Sequence, residues 1–221
     1  MTEPSTGSDV QRIKTKAIRD GNAYRLSGQK TFITNGQHAN LIIVAAKTDP
    51  SLGSKGVSLV VVETDDADGF QRGRNLDKIG LHAADTSELF FDNVEIPPEN
   101  ILGNSEGQGF YQMMQQLPQE RLIIAAGAVG AMEGAVERTI AYCKEREAFG
   151  GPLTQFQNTR FKLVECLTKT KVARAFFDEC MADHLRGELT VEKAAMAKYW
   201  ITDTQGEVLD ECLQMHGGYG F

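Results

Sequence analysis

The sequence predicts an α+β protein in which a small antiparallel β-barrel or sandwich domain is followed by an antiparallel helical-bundle domain. Short β-rich runs separated by turns fill roughly the first hundred residues. After Gly109 the spacing of apolar residues changes from about 2 to about 3.6, which is the helical period. We therefore expect a β domain over residues 1–104 and a helical bundle over residues 105–221. We expect this bundle to be incomplete, because three amphipathic helices normally need a fourth partner to cover their apolar stripes.

Turn residues divide the first half of the chain into short strands. Asp20-Gly21 predicts a tight hairpin, since glycine tolerates the positive φ of a two-residue turn. Asn35-Gly36 predicts a second turn, and Pro97 ends the last strand because proline cannot donate to a β-ladder. The predicted strands cover residues 13–19, 24–30 (continued or bulged by 31–34), 41–48, 57–63 and 88–94.

Three long helices are predicted in the second half. The first ends before Gly150, and its apolar stripe has steps of three and four: Leu122, Ala126, Val129, Met132, Val136, Ile140 and Cys143. The second covers about residues 155–185 and ends at Gly187, and Thr154 with Gln157 has the spacing of a capping box at its start. The third covers about residues 191–215 and ends at Gly217.

Composition excludes several classes of function. Lys and Arg number 23 against 30 Asp and Glu, and this acidic balance without a basic block makes nucleic-acid binding a poor hypothesis. The longest apolar run, residues 41–46, is far shorter than the roughly 20 residues of a membrane span. We expect no secretory signal, because the first residues carry neither a positive charge cluster nor an apolar core.

Several potential metal and nucleotide motifs fail on spacing. The four cysteines and four histidines are dispersed, so we predict no metal site and expect buried free thiols in a reducing compartment. The loop at residues 64–69 resembles a calcium loop, but Asn75 stands where the bidentate glutamate is needed. The glycines of residues 103–109 lack P-loop and dinucleotide-fold spacing.

Five segments, in the same order along the chain, resemble motifs of the acyl-CoA dehydrogenases. They are Thr2-Glu3-Pro4-Ser5-Thr6-Gly7-Ser8-Asp9, Gly28-Gln29-Lys30-Thr31-Phe32-Ile33-Thr34-Asn35-Gly36, Arg146-Glu147-Ala148-Phe149-Gly150, Gln157, and Gln214-Met215-His216-Gly217-Gly218-Tyr219-Gly220-Phe221. The resemblance covers essentially the whole chain. It implies FAD as cofactor, an acyl-CoA substrate, and a chain without the family's N-terminal helical domain and C-terminal end.

The first two motifs imply a flavin site in the β domain. By the family's pattern, Thr2 and Thr34 hydrogen-bond the N1–N5 edge of the isoalloxazine ring. Phe32 stands where the family usually stacks a tryptophan, and its ring keeps the flat π face. Ser8 resembles the residue at the pyrophosphate and substrate-thioester end. The alternative is that this loop is a Ser/Thr-rich turn that caps a strand.

The later motifs imply contacts with the FAD of a neighbouring subunit. The residues that resemble the set around its adenosine-diphosphate half are Arg146, Phe149, Gln157, Gln214 and Gly218. Arginine suits a pyrophosphate because its planar fork makes bidentate contacts, and glycine lets backbone approach closely. This implies a homodimer or homotetramer. Alternatively, Arg146 is a cation at a helix C-terminus, and the glutamines are ordinary helix surface or helix caps.

The resemblance implies α,β-desaturation of an acyl thioester, with a carboxylate that removes the α-proton while a hydride passes to flavin N5. Pro118-Gln119-Glu120-Arg121-Leu122 resembles the base position of the long-chain and isovaleryl enzymes, so Glu120 is our candidate base and Arg121 a CoA contact. A desolvated carboxylate is a stronger base. Small residues lie within about 40° of Glu120 on a helix of about 100° per residue, which leaves room for a ligand or for another helix: Gly127, Ala131 and Gly134.

Three hypotheses about function remain at this point. The first is a dehydrogenase that passes electrons to an electron-transfer flavoprotein, the second is an acyl-CoA oxidase, and the third is a non-catalytic fragment. Acyl chain length stays open. We expect a bacterial cytoplasmic protein, with the mitochondrial matrix as the alternative.

Overall fold

The computed structural model describes all 221 residues and divides them into two compact units, Met1–Met114 and Gln115–Phe221. The first unit contains a six-stranded sheet in the order β4-β3-β1-β2-β6-β5. Its strands are β1 (Lys16–Asp20), β2 (Ala23–Thr34), β3 (Leu41–Lys47), β4 (Val57–Glu63), β5 (Phe70–Asn75) and β6 (Thr86–Ile96). The predicted α+β class is confirmed.

The sheet is mixed rather than wholly antiparallel, because one of its five strand pairings is parallel. β1 and β2 form the predicted hairpin, in which Asp20 pairs with Ala23 and Gly21 has φ of 61°. After β2 the chain reverses and crosses β1, so β3 lies beside β1 and runs parallel to it, with Lys16 opposite Lys47. All other neighbouring strands are antiparallel.

Two strands differ from the prediction. β1 begins at Lys16 rather than at Ile13, because a short 3₁₀ turn precedes it and the amides of Lys14 and Thr15 donate to the Glu3 carboxylate instead of to a strand. β5 was not predicted, since it is an edge strand of mostly exposed polar residues with no apolar alternation. The core of the sheet contains Leu26, Val44, Val60, Val62, Leu89 and Val94.

Three long helices account for most of the chain after residue 108: α1 (Gly109–Glu145), α2 (Gln157–Arg186) and α3 (Val191–His216). α1 continues through Pro118, although proline removes one main-chain hydrogen bond from a helix. The predicted stripe of α1 faces the core of the second unit, where Leu122, Val129, Met132, Val136 and Cys143 are buried and Ala126 and Ile140 are partly buried.

The helix ends confirm one predicted signal and correct another. Gly187 ends α2 in the left-handed region with φ of 73°, as predicted. The capping box at Thr154 is wrong, because Thr154 lies in a 3₁₀ turn and α2 begins after Phe156 without a side-chain cap. Thr190, which was not predicted, caps α3 by accepting from the Lys193 amide.

The four cysteines are free and buried, as predicted. Burial raises the pKa of the Cys166 thiol to about 11. No helix combines the length and apolar character needed to cross a bilayer. No group of three or more His, Cys, Asp and Glu side chains is arranged to hold a metal ion.

Candidate functional site

The first motif lies against β2, so the structure brings the two predicted flavin segments together. The Thr31 amide donates to the Thr2 carbonyl oxygen over 3.0 Å. Glu3, one residue after Thr2, and Lys30, one residue before Thr31, form an ion pair of 2.8 Å in which both side chains are buried. Thr2 is half-buried. The first motif is therefore held beside the residues that lead into Phe32.

Phe32 occupies a strained position in β2. Its φ is 59°, in the left-handed region that a bulky residue rarely adopts, and the β2–β6 register shifts between Lys30 and Ile33. Such strain costs on the order of 1–3 kcal/mol and is concentrated at functional sites. The bulge leaves Phe32 66% exposed, and Thr34 is exposed two residues later. A flat aromatic face and a hydroxyl are thus both open to a ligand.

Ser8 is exposed in the loop that follows the first turn. It does not line the neighbouring cavity of about 200 Å³, although the cations Arg12 and Lys14 do. A larger cavity of about 650 Å³ in the same unit contains none of the predicted site residues. Carboxylates of Glu63, Asp65, Asp66, Glu95 and Glu99 line it. This acidic wall is the wrong charge for a polyphosphate ligand.

Three of the five predicted adenosine-diphosphate contacts line one cavity, which we call the helix-end pocket. Its volume is about 360 Å³, and it lies where the ends of α1 and α3 meet. Arg146 comes directly after α1, while Gln214 and Gly218 lie at the end of α3 and just beyond it. The remaining lining residues are Tyr142, Leu153, Met215, His216, Gly217 and Tyr219.

Phe149 and Gln157, the other two predicted contacts, do not line the helix-end pocket. Phe149 and Gly150 form the two-residue turn between two short paired strands, β7 (Glu147–Ala148) and β8 (Gly151–Pro152), and both have positive φ. This turn leaves Phe149 95% exposed, with its ring edge-on to Phe156 at 6.1 Å. Gln157, the first residue of α2, is exposed directly after Phe156.

Aromatic residues of the helix-end pocket were missed by the sequence reasoning. The rings of Tyr142 and His216 stack at 4.4 Å, and the Tyr142 hydroxyl donates to the His216 carbonyl oxygen over 3.3 Å. Tyr219 lies under the Arg146 guanidinium. Their positions in the sequence could have predicted them, because Tyr142 lies one helical turn before Arg146 and Tyr219 follows the Gly-Gly pair.

Glu120 lies exposed on α1, and Arg121 is half-buried. The small-residue face is open at Gly127, which is exposed and where an added Cβ would meet no atom within 4 Å. Ile123 and Ile124, in the next helical turn, are exposed as well. The chain alone therefore leaves the Glu120 carboxylate in water rather than in an apolar enclosure.

Comparisons with known proteins match both halves of the chain to one family. Residues 1–94 match the family model "Acyl-CoA dehydrogenase, middle domain", and residues 107–221 match "Acyl-CoA dehydrogenase, C-terminal domain". The chain is 46% identical to the long-chain specific acyl-CoA dehydrogenase of mitochondria from Sus scrofa, and this match covers 100% of the chain and 51% of that protein. The chain thus spans about half the length of this relative.

Solved structures agree with the sequence matches. The acyl-CoA dehydrogenase from Geobacillus kaustophilus superposes with a TM-score of 0.95 at 49% identity, covering 100% of this chain and 58% of that one. Butyryl-CoA dehydrogenase from Megasphaera elsdenii superposes with a TM-score of 0.94 at 38% identity, covering 100% and 57%. These matches confirm the resemblance of the five motifs, and we conclude that the chain belongs to the acyl-CoA dehydrogenase family.

Proposed function

We propose that the chain takes part in the FAD-dependent α,β-desaturation of an acyl-CoA thioester. Family membership supplies the reaction class. One observation carries the flavin assignment to particular residues: Arg146, Gln214 and Gly218 come from separate motifs and line a single cavity. The similarity to a long-chain enzyme from pig supports the choice of base, because the motif around Glu120 resembles that subset of the family.

Three residues of the β unit fit the flavin ring. Phe32 offers a flat apolar face for stacking. Thr34 and Thr2 offer hydroxyl groups for the polar edge of the ring, and Thr2 is tied to β2 through the Thr31 amide. Ser8 then serves the pyrophosphate and the thioester end of the substrate. When bound, FAD supplies the acceptor for the hydride that leaves the β-carbon.

The helix-end pocket fits an adenosine-diphosphate group that belongs to the FAD of a second subunit. Arg146 provides the cation for a pyrophosphate. The backbone at Gly218 is open, since a Cβ added there would meet no atom within 4 Å. Phe149 and Gln157 complete this set in the proposal, from the adjacent turn and the start of α2. The assignment requires a homodimer or homotetramer.

Glu120 is the proposed base, with Arg121 as a CoA contact. Its carboxylate takes the α-proton, and the electron pair of the broken Cα–H bond forms the Cα–Cβ double bond as the hydride leaves Cβ. The α-proton is weakly acidic, so the base needs a site from which water is excluded. Because Glu120 is exposed in the chain alone, the proposal requires that bound ligands cover it together with Ile123 and Ile124.

The decisive experiment is spectroscopic. Purified protein should bind FAD and show the flavin absorbance bands, and anaerobic addition of acyl-CoA thioesters of graded length should bleach them. Electron transfer to an electron-transfer flavoprotein without peroxide identifies a dehydrogenase, whereas peroxide formed under air identifies an oxidase. A folded protein that takes up no FAD refutes the proposal and supports a non-catalytic role.

A further inference from the structure

We propose that the buried Glu3–Lys30 ion pair is a positioning element that holds Thr2 and the Phe32–Thr34 segment in register for the flavin. This inference rests on the proposed FAD site and adds two residues that do not touch the ligand. It concerns the β unit alone, where the N-terminal segment meets β2. This pair joins two separate motif segments, the N-terminal turn and β2.

The ammonium group of Lys30 has three hydrogen-bond acceptors within the protein. Its Nζ atom donates to Oε1 of Glu3 over 2.8 Å, to the Ala45 carbonyl oxygen over 2.8 Å and to the Met1 carbonyl oxygen over 3.2 Å. The Lys30 and Glu3 side chains are only 3% and 4% exposed. An ammonium group has three donors, so β2, β3 and the N-terminal segment are joined at one atom.

Glu3 is equally well satisfied. Its carboxylate accepts from the amide of Lys14 over 2.6 Å and from the amide of Thr15 over 3.0 Å, as well as from Lys30. Burial by itself would raise the pKa of Glu3, but these hydrogen bonds outweigh burial and lower the pKa. The carboxylate is therefore charged at neutral pH and fixed by three donors.

The pair lies next to both predicted flavin contacts along the chain. The Glu3 and Thr6 backbones exchange two hydrogen bonds, which close the turn of the first motif directly after Thr2. Lys30 is the last residue of β2 that pairs with β6 before the second of two register shifts, at which Phe32 adopts positive φ. A shift of the ion pair would move Thr2 and Phe32 relative to each other.

The free energy of unfolding distinguishes an ion pair that positions other residues from one that mainly stabilises the fold. A buried ion pair contributes little net stability, because desolvation of both charges offsets their attraction. Replacing both partners by uncharged residues of similar volume is often neutral, whereas removing one partner leaves a buried charge and is strongly destabilising. If Glu3–Lys30 acts by positioning, the double replacement should keep the fold and still weaken flavin binding.

The test compares two variants with the wild type. The double variant Glu3→Gln/Lys30→Met removes both charges and keeps similar volume. Val62→Ala is the matched stability control, since Val62 is buried in β4, where it pairs with Ile42 of β3. Three quantities are measured: the melting temperature, the hydrogen exchange of the Thr31 amide in FAD-free protein, and the Kd for FAD by fluorescence.

We expect the double variant to melt no earlier than Val62→Ala, to exchange the Thr31 amide at least about tenfold faster than the wild type, and to raise the Kd for FAD at least about tenfold. Val62→Ala should melt earlier with an unchanged Kd. Wild-type exchange and wild-type Kd in the double variant would overturn the inference, as would a double variant that unfolds where Val62→Ala stays folded. A wild-type protein that binds no FAD would instead refute the proposed function and, with it, the role of the ion pair in flavin binding. The exchange rate of the Thr31 amide would still show whether the ion pair holds Thr2 in place.

Discussion

The guanidinium carbon of Arg146 lies 5.8 Å from the centroid of the Tyr219 ring, so the cation rests over an aromatic face. Arg146 follows the end of α1, and Tyr219 lies in the turn after α3. Both residues line the helix-end pocket together with Gln214 and Gly218. This contact pre-orients the planar guanidinium beside the cavity that we assign to the adenosine-diphosphate group.

Replacement of Arg146 by lysine should weaken FAD binding without loss of stability. Lysine keeps the charge but loses the planar fork and its stacking on Tyr219. We expect the Kd for FAD to rise about tenfold, equivalent to about 1.4 kcal/mol, with an unchanged melting temperature because Arg146 is exposed. Lys198→Ala, at an exposed lysine of α3, is the control and should leave the Kd unchanged. An unaltered Kd in Arg146→Lys would contradict the assignment of the helix-end pocket.

Replacement of Glu120 by glutamine should abolish desaturation and leave FAD in place. The amide has the same shape but cannot accept the α-proton, so turnover should fall by at least about 100-fold, within the usual contribution of a general base. The measurement is the anaerobic rate of flavin bleaching by acyl-CoA, with the flavin content read from the spectrum. Glu137→Gln, an exposed glutamate on the same helix, should keep its rate. Turnover within a factor of two of the wild type in Glu120→Gln would remove the base assignment.

The Glu3 carboxylate should make stability depend on pH in the acid range. Its pKa is below the ordinary value of 4.5, so its contribution is fully present above about pH 4.5 and is lost as the pH falls through the lowered pKa. Urea unfolding from pH 6 to pH 3 should show the wild type losing its advantage over Glu3→Gln in this window. Glu99→Gln, at an exposed glutamate, is the control variant. If the difference in the free energy of unfolding between the wild type and Glu3→Gln did not change with pH, the Glu3 carboxylate would have the same pKa in the folded and unfolded states.

Loss of the α3 cap should destabilise the helical unit. The Thr190 hydroxyl accepts from the Lys193 amide over 3.1 Å, and Thr190→Ala removes this bond at a cost of about 1 kcal/mol. A chain of this size should melt about 2–4 °C earlier. Thr202→Ala is the control, because the Thr202 hydroxyl bonds only to carbonyl oxygens of its own helix. Equal melting temperatures for the two variants would show that the cap contributes nothing.

Single residues and the spacing of apolar residues predicted the structural features that depend only on neighbours in the sequence. Gly21 marked the β1–β2 hairpin and Gly187 marked the end of α2, because positive φ is a property of a single residue. The stripe from Leu122 to Cys143 predicted the buried face of α1, since helical period depends only on spacing. The five motifs identified the family because residue order along a chain needs no coordinates.

Features that depend on distant residues required the folded chain. β3 lies parallel to β1 because the chain after β2 crosses β1 before β3 begins. No residue pattern within β1 or β3 predicts this crossing. The Glu3 carboxylate captured two amides that local pattern assigned to a strand, and it bound a lysine from β2. The helix-end pocket joined Arg146 to Gln214. Contacts between residues that are distant in sequence depend on packing, which is the sum of many weak contacts over whole helices and strands. No short stretch of sequence therefore predicts them.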